Sequence, residues 1–206
     1  MKRLGAVGDW EHPYLTMDKD VEAREVEAVG RLILDGYITR GKKPVLWCAH
    51  CETALAENAV EYAPHTAESV FVRFRVEEWS PASKEAGKKA VKPAYVVIWT
   101  TTPWTLPANV AIAFHPRLKY DFVETGAEIL IMASDLAGGV ISTGRLAPGT
   151  VIATVTGKDL EGIKCAHPFI KRTSVGINAE YVTLEAGTGC VHIAPGHGAE
   201  DYMSGQ

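Results

Sequence analysis

Two short stretches hold most of the side chains that could do chemistry. In 99-WTTTPWTLPAN-109, Thr100, Thr101 and Thr102 precede Trp104, Thr105 and Asn109, with prolines on both sides of the indole. The hydroxyls can donate and accept hydrogen bonds and the indole can wall an apolar group, but nothing in this stretch titrates near neutral pH. In 187-GTGCVHIAPGHGAEDY-202, His192, Glu200 and Asp201 supply an imidazole and two carboxylates. Together the stretches hold the inventory for gripping an α-amino acid by its ammonium group and its side chain.

Each residue also has a plainer role open to it. Threonines at a strand end suit the strand itself, a lone histidine on a strand is usually a satisfied structural residue, and Asp201 could cap a helix. Pro103 and Pro107 weigh toward a site, because they end a sheet ladder and hold the hydroxyls and the indole in a loop with little entropy left to lose. A rival is metal-dependent hydrolysis, since His192, His197, Glu200 and Asp201 are close in sequence. Their spacing matches no established zinc pattern. Cys48 and Cys51 form one C-x-x-C without a partner pair.

The elements that must position these residues read as mainly β. The segment 18-DKDVEAREVEAVGRLILDG-36 is expected to be a helix, with Val21, Val26, Val29 and Ile33 near the helical period and Gly36 at its end. Residues 44-PVLWCAHCETALAENAVEY-62 suggest a small ribbon followed by a second amphipathic piece. Strands are expected at 70–79, 94–101, 110–114, 120–124, 128–133, 151–156 and 190–194. That spacing suggests a closed or nearly closed barrel, a β-barrel-like domain with surrounding helices. The polar run 80–93 reads as an exposed loop, 134–141 as a short helix capped by Ser134, and 197–205 as a helix or turn. The expected organisation is a flanking segment over 1–64 and a core over 65–206.

The chain has 206 residues, is 47% hydrophobic and carries a formal net charge of −4. That balance argues against gripping duplex nucleic acid by bulk electrostatics. No apolar run approaches the ~20 residues a membrane-spanning helix needs, and no secretory signal is visible, so no membrane partner and a cytoplasmic setting are expected. Four cysteines are too few for a disulfide scaffold at this length and are read as reduced thiols.

The two stretches resemble the motif segments of the editing domain inserted in the catalytic domain of isoleucyl-tRNA synthetases. The similarity covers nearly the whole chain; 8-GDWEHPYLTM-17 and 44-PVLWCAHCETALAENAVEY-62 resemble the segments leading into that insertion. Valyl and leucyl relatives carry T-T-R-P, whereas this chain has Thr102 before Pro103, which favours the isoleucyl branch. The two nucleotide-binding motifs of amino-acid activation are absent, so the resemblance implies a fragment that does not aminoacylate. Editing needs no cofactor; ATP belongs to the parent enzyme, and so does any zinc, which some members bind through two C-x-x-C pairs.

The implied activity is hydrolysis of valine mischarged onto the isoleucine tRNA, and of valyl-adenylate as a second substrate. One methylene discriminates by only about 1–3 kcal/mol, a limit for which isoleucyl-tRNA synthetases are the standard illustration, so a second, smaller site must remove valine. By resemblance Asp201 binds the substrate ammonium, and Trp104 with His192 bounds the side-chain pocket. Thr101, Thr102 and Thr105 contact the terminal ribose or ester or place the water, Thr100 lines the site and Asn109 supports the loop. His192 as a base is the competing assignment. The implied partners are the 3′ end of the tRNA and the remainder of the parent synthetase. An alternative of another class is a docking module for the tRNA 3′ end without chemistry, with Arg40, Lys42, Lys43, Lys84, Lys88, Lys89 and Lys92 supplying charge.

Overall fold

The computed structural model describes residues 2–206 and divides into two units, Met1–Lys42 and Lys43–Gln206. In the first, the expected helix forms as α1 (Lys19–Leu34), with Asp20 and Glu22 in its first turn where the helix dipole favours acids. Gly36 takes φ +81°, and the Tyr37 and Ile38 N–H groups turn back to Leu32 O, which ends the helix. The apolar stripe is not covered, however: no residue of α1 is buried, and Val26 is 73% exposed.

The second unit begins with an antiparallel ribbon, β1 (Leu46–Cys48) and β2 (Thr53–Leu55), with the C-x-x-C turn at its tip. Beyond it, only a 3-10 turn at Glu57–Ala59 forms where a second amphipathic piece is expected. A nine-stranded mixed sheet then takes over. In chain order its strands are β3 (Val70–Glu78), β4 (Ala94–Thr100), β5 (Ala111–Phe114), β6 (Lys119–Thr125), β7 (Glu128–Ala133), β8 (Thr150–Thr156), β9 (Lys164–Ala166), β10 (Thr173–Asn178) and β11 (Cys190–Ile193). Across the sheet the order is β11-β5-β10-β9-β3-β4-β7-β6-β8. The ladders leave β11 and β8 as ends, so the hydrogen bonding does not close a barrel. The sheet nevertheless rolls, bringing β11 alongside β4.

Strand period explains how both faces of the sheet are filled. Successive side chains point to opposite faces, so in β4 Val96 and Ile98 face the main core with Phe74, Ile112, Phe114 and Phe122, while Val97 points to the opposite, also buried, face. In β7, Ile129 and Ile131 join the main core, and Leu130 and Met132 pack with Val97 against Ala137 and Val140 of α3 (Ser134–Thr143). Strands buried on both faces need continuous apolar runs, which 94–98 and 129–133 provide.

Three local expectations change. Residues 80–93 hold a short helix, α2 (Lys84–Lys88), started by a buried Ser80–Ser83 hydroxyl contact at 2.6 Å. Ser134 does not cap α3: the helix starts after Ala133 without a side-chain cap, and Ser134 Oγ is buried without a protein partner among the described residues. Strands β9 and β10 lack a clear sequence pattern, yet β10 sits between β5 and β9, parallel to the first and antiparallel to the second.

Gly176 of β10 is one of the places where the core closes tightly. A Cβ there would stand 2.6 Å from Leu160 O and 2.5 Å from Ile163 Cγ2, both held by the core. Gly176→Ala is expected to destabilise the chain by about 1–3 kcal/mol through overpacking, seen as a lower urea midpoint at unchanged slope; an unshifted midpoint would show that the core yields here.

Candidate functional site

The rolled sheet places the two chemical stretches side by side. β11 pairs antiparallel with β5, His192 opposite Ile112, so His192 faces the same interior side as Ile112. At the end of β4 the chain turns through Thr101 and Thr102 into a 3-10 helix, Pro103–Ala108, with Pro103 at its first turn. The stretch expected as a loop is thus a short 3-10 helix that brings Thr105 against His192.

Two connected groups result. In the first, Thr105 Oγ1 donates to Thr102 O at 2.9 Å and lies 2.9 Å from His192 Nε2. Asn109, fully buried, sends Nδ2 to Ala111 O at 2.8 Å and stands 3.5 Å from His192 Nδ1. His192 is only 8% exposed. Burial lowers its pKa below the imidazole's ordinary 6.5, opposed by the Asp201 charge and reinforced by His197 and His167, so the ring is neutral at pH 7.

The second group lines a cleft of about 400 Å³: Thr100 and Thr101 on one wall, Tyr181, Thr183, Glu185 and the 187–189 backbone on another, with Glu200 and Asp201 from α4 (Ala199–Ser204). Thr100 Oγ1 accepts the Thr102 N–H at 3.0 Å and meets the Thr102 hydroxyl at 3.2 Å, which joins the two groups. Asp201 Oδ2 accepts the Ala194 N–H at 2.8 Å, so its carboxylate ties α4 to the end of β11 as well as facing the cleft. Trp104, 67% exposed, and the buried His192 are both outside the set of residues that line the cleft.

Residues that carry no chemical signature hold the cleft in place. Gly187 and Gly189 adopt φ +81° and +70°; a Cβ on the first would press the Trp99 ring at 3.2 Å and one on the second would collide with Ala133 Cβ. Thr188 O accepts the Ala133 N–H at 2.8 Å, and the Tyr120 hydroxyl donates to Gly189 O at 2.7 Å while accepting the His115 N–H. On the outer side of the threonine turn, Arg172 donates to Pro107 O and Asn109 O at 3.1 and 2.8 Å, and His167 Nε2 meets Leu106 O at 2.8 Å. Sequence reasoning missed these. The only signal for the loop was its pair of glycines.

Other nucleophiles and metal donors are poorly placed. Burial pushes the Cys165 thiol up to about 12 and the Cys190 thiol upward as well, so both stay protonated. Cys48 is held below the usual thiol range, chiefly by the Cys51 N–H that donates to its sulfur at 3.3 Å. That pair offers two of the four ligands a structural zinc takes, and among the described residues no group of three or more His, Cys, Asp or Glu side chains converges. Of the lysines considered as phosphate contacts, Lys92 is engaged by Glu124 Oε1 at 2.7 Å and Gly126 O at 2.9 Å, and Lys88 by Glu85.

The lowered His192 pKa has a stability consequence. As pH falls below 6.5, the unfolded chain binds a proton that the folded chain resists, so stability falls until the lower folded value is passed and then levels. His192→Gln is expected to lack this component. Urea midpoints for both chains from neutral pH downward test it; parallel curves would show that His192 titrates alike in both states.

The chain and its fold have relatives. Over 204 residues the chain is 50% identical to the isoleucine-tRNA ligase of Moorella thermoacetica, covering 99% of this chain and 21% of that protein. Over 203 residues it is 49% identical to the isoleucine-tRNA ligase of Caldicellulosiruptor bescii, covering 98% of this chain and 22% of that one. The chain therefore spans about a fifth of the length of these curated relatives. In fold it is similar to the cytosolic leucyl-tRNA synthetase editing domain of P. knowlesi, with a TM-score of 0.56 at 12% identity over 68% of this chain and 62% of that one. The corresponding P. falciparum domain gives 0.54 at 11% identity, over 66% of this chain and 64% of the other. The family model for tRNA synthetases class I (I, L, M and V) matches residues 1–182, and the chain belongs to that family.

Proposed function

We propose that the chain is the editing part of an isoleucyl-tRNA synthetase, with residues 65–206 as the editing core, and that it hydrolyses valine from mischarged isoleucine tRNA and also valyl-adenylate. The observation that carries this reading is the cleft in which threonine hydroxyls face a carboxylate across glycine backbone, beside a buried neutral imidazole. Its partners are the tRNA 3′ end and the rest of the synthetase, in a cytoplasmic setting, and the editing step uses no cofactor.

The chemistry asked of the site is modest. An aminoacyl ester is already activated by its neighbouring ammonium, so orientation and water placement supply much of the rate. Asp201 commits Oδ2 to the Ala194 N–H, and Oδ1 is available to the ammonium as a charge-assisted acceptor. Thr101, whose hydroxyl takes no protein bond among the described residues, reaches the ester or ribose, and Thr100 and Thr102 share their hydroxyls to place the water. Thr105 spends its proton on Thr102 O and so acts as a support. His192 sits behind the threonines and limits how deep a side chain can press. Trp104, exposed on the same turn, would have to close over the side chain as substrate enters.

Release of free valine from mischarged tRNA tests the activity directly. Asp201→Asn keeps an oxygen for the Ala194 N–H but removes the charge, so it is expected to lose deacylation by 100-fold or more, on the order of the roughly 3 kcal/mol of a charged hydrogen bond, with little change in melting. Asp201→Ala is expected to lose activity and also some stability. Full activity in Asp201→Asn would remove the ammonium-anchor role.

Isoleucine exceeds valine by one methylene, and overpacking costs roughly 1–3 kcal/mol. His192→Ala opens an imidazole's volume behind the threonine turn, and is expected to begin hydrolysing correctly charged Ile-tRNA while retaining measurable activity on Val-tRNA. The ratio of the two deacylation rates is the quantity to compare. A general base would behave differently, with both rates falling together at an unchanged ratio.

A further inference from the structure

The buried polar groups beneath the threonine turn run in one direction. Ser174 of β10 is fully buried, and its hydroxyl donates to Asn109 Oδ1. Asn109 Nδ2 faces Ala111 O, an acceptor only, so the orientation of the amide is set from both ends. Its second N–H points at His192 Nδ1, 3.5 Å away. At the other end Thr105 has one hydroxyl hydrogen, already given to Thr102 O, so toward His192 Nε2 it can only accept.

We propose that Ser174 and Asn109 are positioning residues that hold His192 as the neutral imidazole with its proton on Nε2, through a chain of donations from Ser174 through Asn109, His192 and Thr105 to the Thr102 carbonyl. The opposite tautomer would set an N–H of Asn109 against an Nδ1–H and leave Thr102 O and His192 Nε2 competing for the one hydroxyl hydrogen of Thr105. In a buried site such unmade bonds are costly. The tautomer of a histidine follows from what its other nitrogen meets, and here both nitrogens meet protein groups. The consequence for catalysis, which rests on the editing reading, is that neither nitrogen is open to take a proton from water, so His192 shapes the cleft and sets the threonine turn.

Long-range nitrogen-proton NMR correlations on the nitrogen-15-labelled chain report which ring nitrogen carries the proton, with His192 assigned by its loss in His192→Gln. The expected wild-type pattern is a protonated Nε2 and a bare Nδ1. Asn109→Asp replaces the donor by an acceptor of the same shape and is expected to move the proton to Nδ1. Ser174→Ala is expected to populate both tautomers, and Ser174→Thr to restore the single form. A wild-type ring protonated on Nδ1, or equally on both nitrogens, overturns the proposal whatever the variants do. Folded Ser174→Ala and Asn109→Asp chains that keep the wild-type pattern overturn the positioning role. The spectrum needs no catalysis: an Nε2–H ring in a chain that leaves Val-tRNA intact would support the hydrogen-bond chain and sink the proposed function.

Discussion

The site depends on one constraint: β11 must return beside the end of β4. The two strands share no ladder; the loop before β11 is tied instead to β7, which pairs with β4, by the Ala133 N–H on Thr188 O, and to β6 by the Tyr120 hydroxyl on Gly189 O. Tyr120 is fully buried and its hydroxyl is pushed far above the usual phenol range by that burial, so it stays a proton donor at any working pH. The β11–β5 register turns His192 inward, and this closure adds the cleft between 100–101 and 181–189 and the approach of Asp201. Without it the threonine turn and the histidine strand would be separate surface features.

The closure also explains why the interior can be polar at this end. Thr100, Asn109, Ser174 and His192 are all buried, and an unpaired buried polar group is costly. Each is paired with another of the set or with a backbone carbonyl or N–H. Such a network is rigid because each member depends on the rest, which suits a proposed mechanism built on orientation. Arg172 and His167 extend the same support to the outer side of the 3-10 turn by bonding the carbonyls that a short helix leaves open.

The fold also bears on the roles that the family resemblance implies. By resemblance Trp104 and His192 bound one side-chain pocket. The indole is exposed and the imidazole buried, and neither is among the residues that line the cleft. Thr105, grouped with the substrate-facing hydroxyls, is committed to Thr102 O. The family assignment is untouched by these shifts, since it rests on the match over 1–182.

Much of this protein was legible in one dimension. Alternation and apolar runs marked seven of the strands, and the helical period with Gly36 marked α1, because those patterns arise from contacts each residue makes with its own neighbours in the chain. The motif stretches likewise showed which hydroxyls, imidazole and carboxylate to consider. Hidden from that reading were β9 and β10, short strands whose pairing supplies the pattern that 173-TSVGIN-178 lacks, and with β10 the buried Ser174. Hidden too were the Tyr120 tie and the Arg172 and His167 braces, since each joins residues distant in sequence through a backbone carbonyl, and any residue has a carbonyl to offer. Sequence by itself determined the chemical groups and the local elements. Only the tertiary structure decided which groups meet, which hydroxyls are already spent and which face of β11 points inward, because direction and proximity across a rolled sheet are set by long-range register and packing.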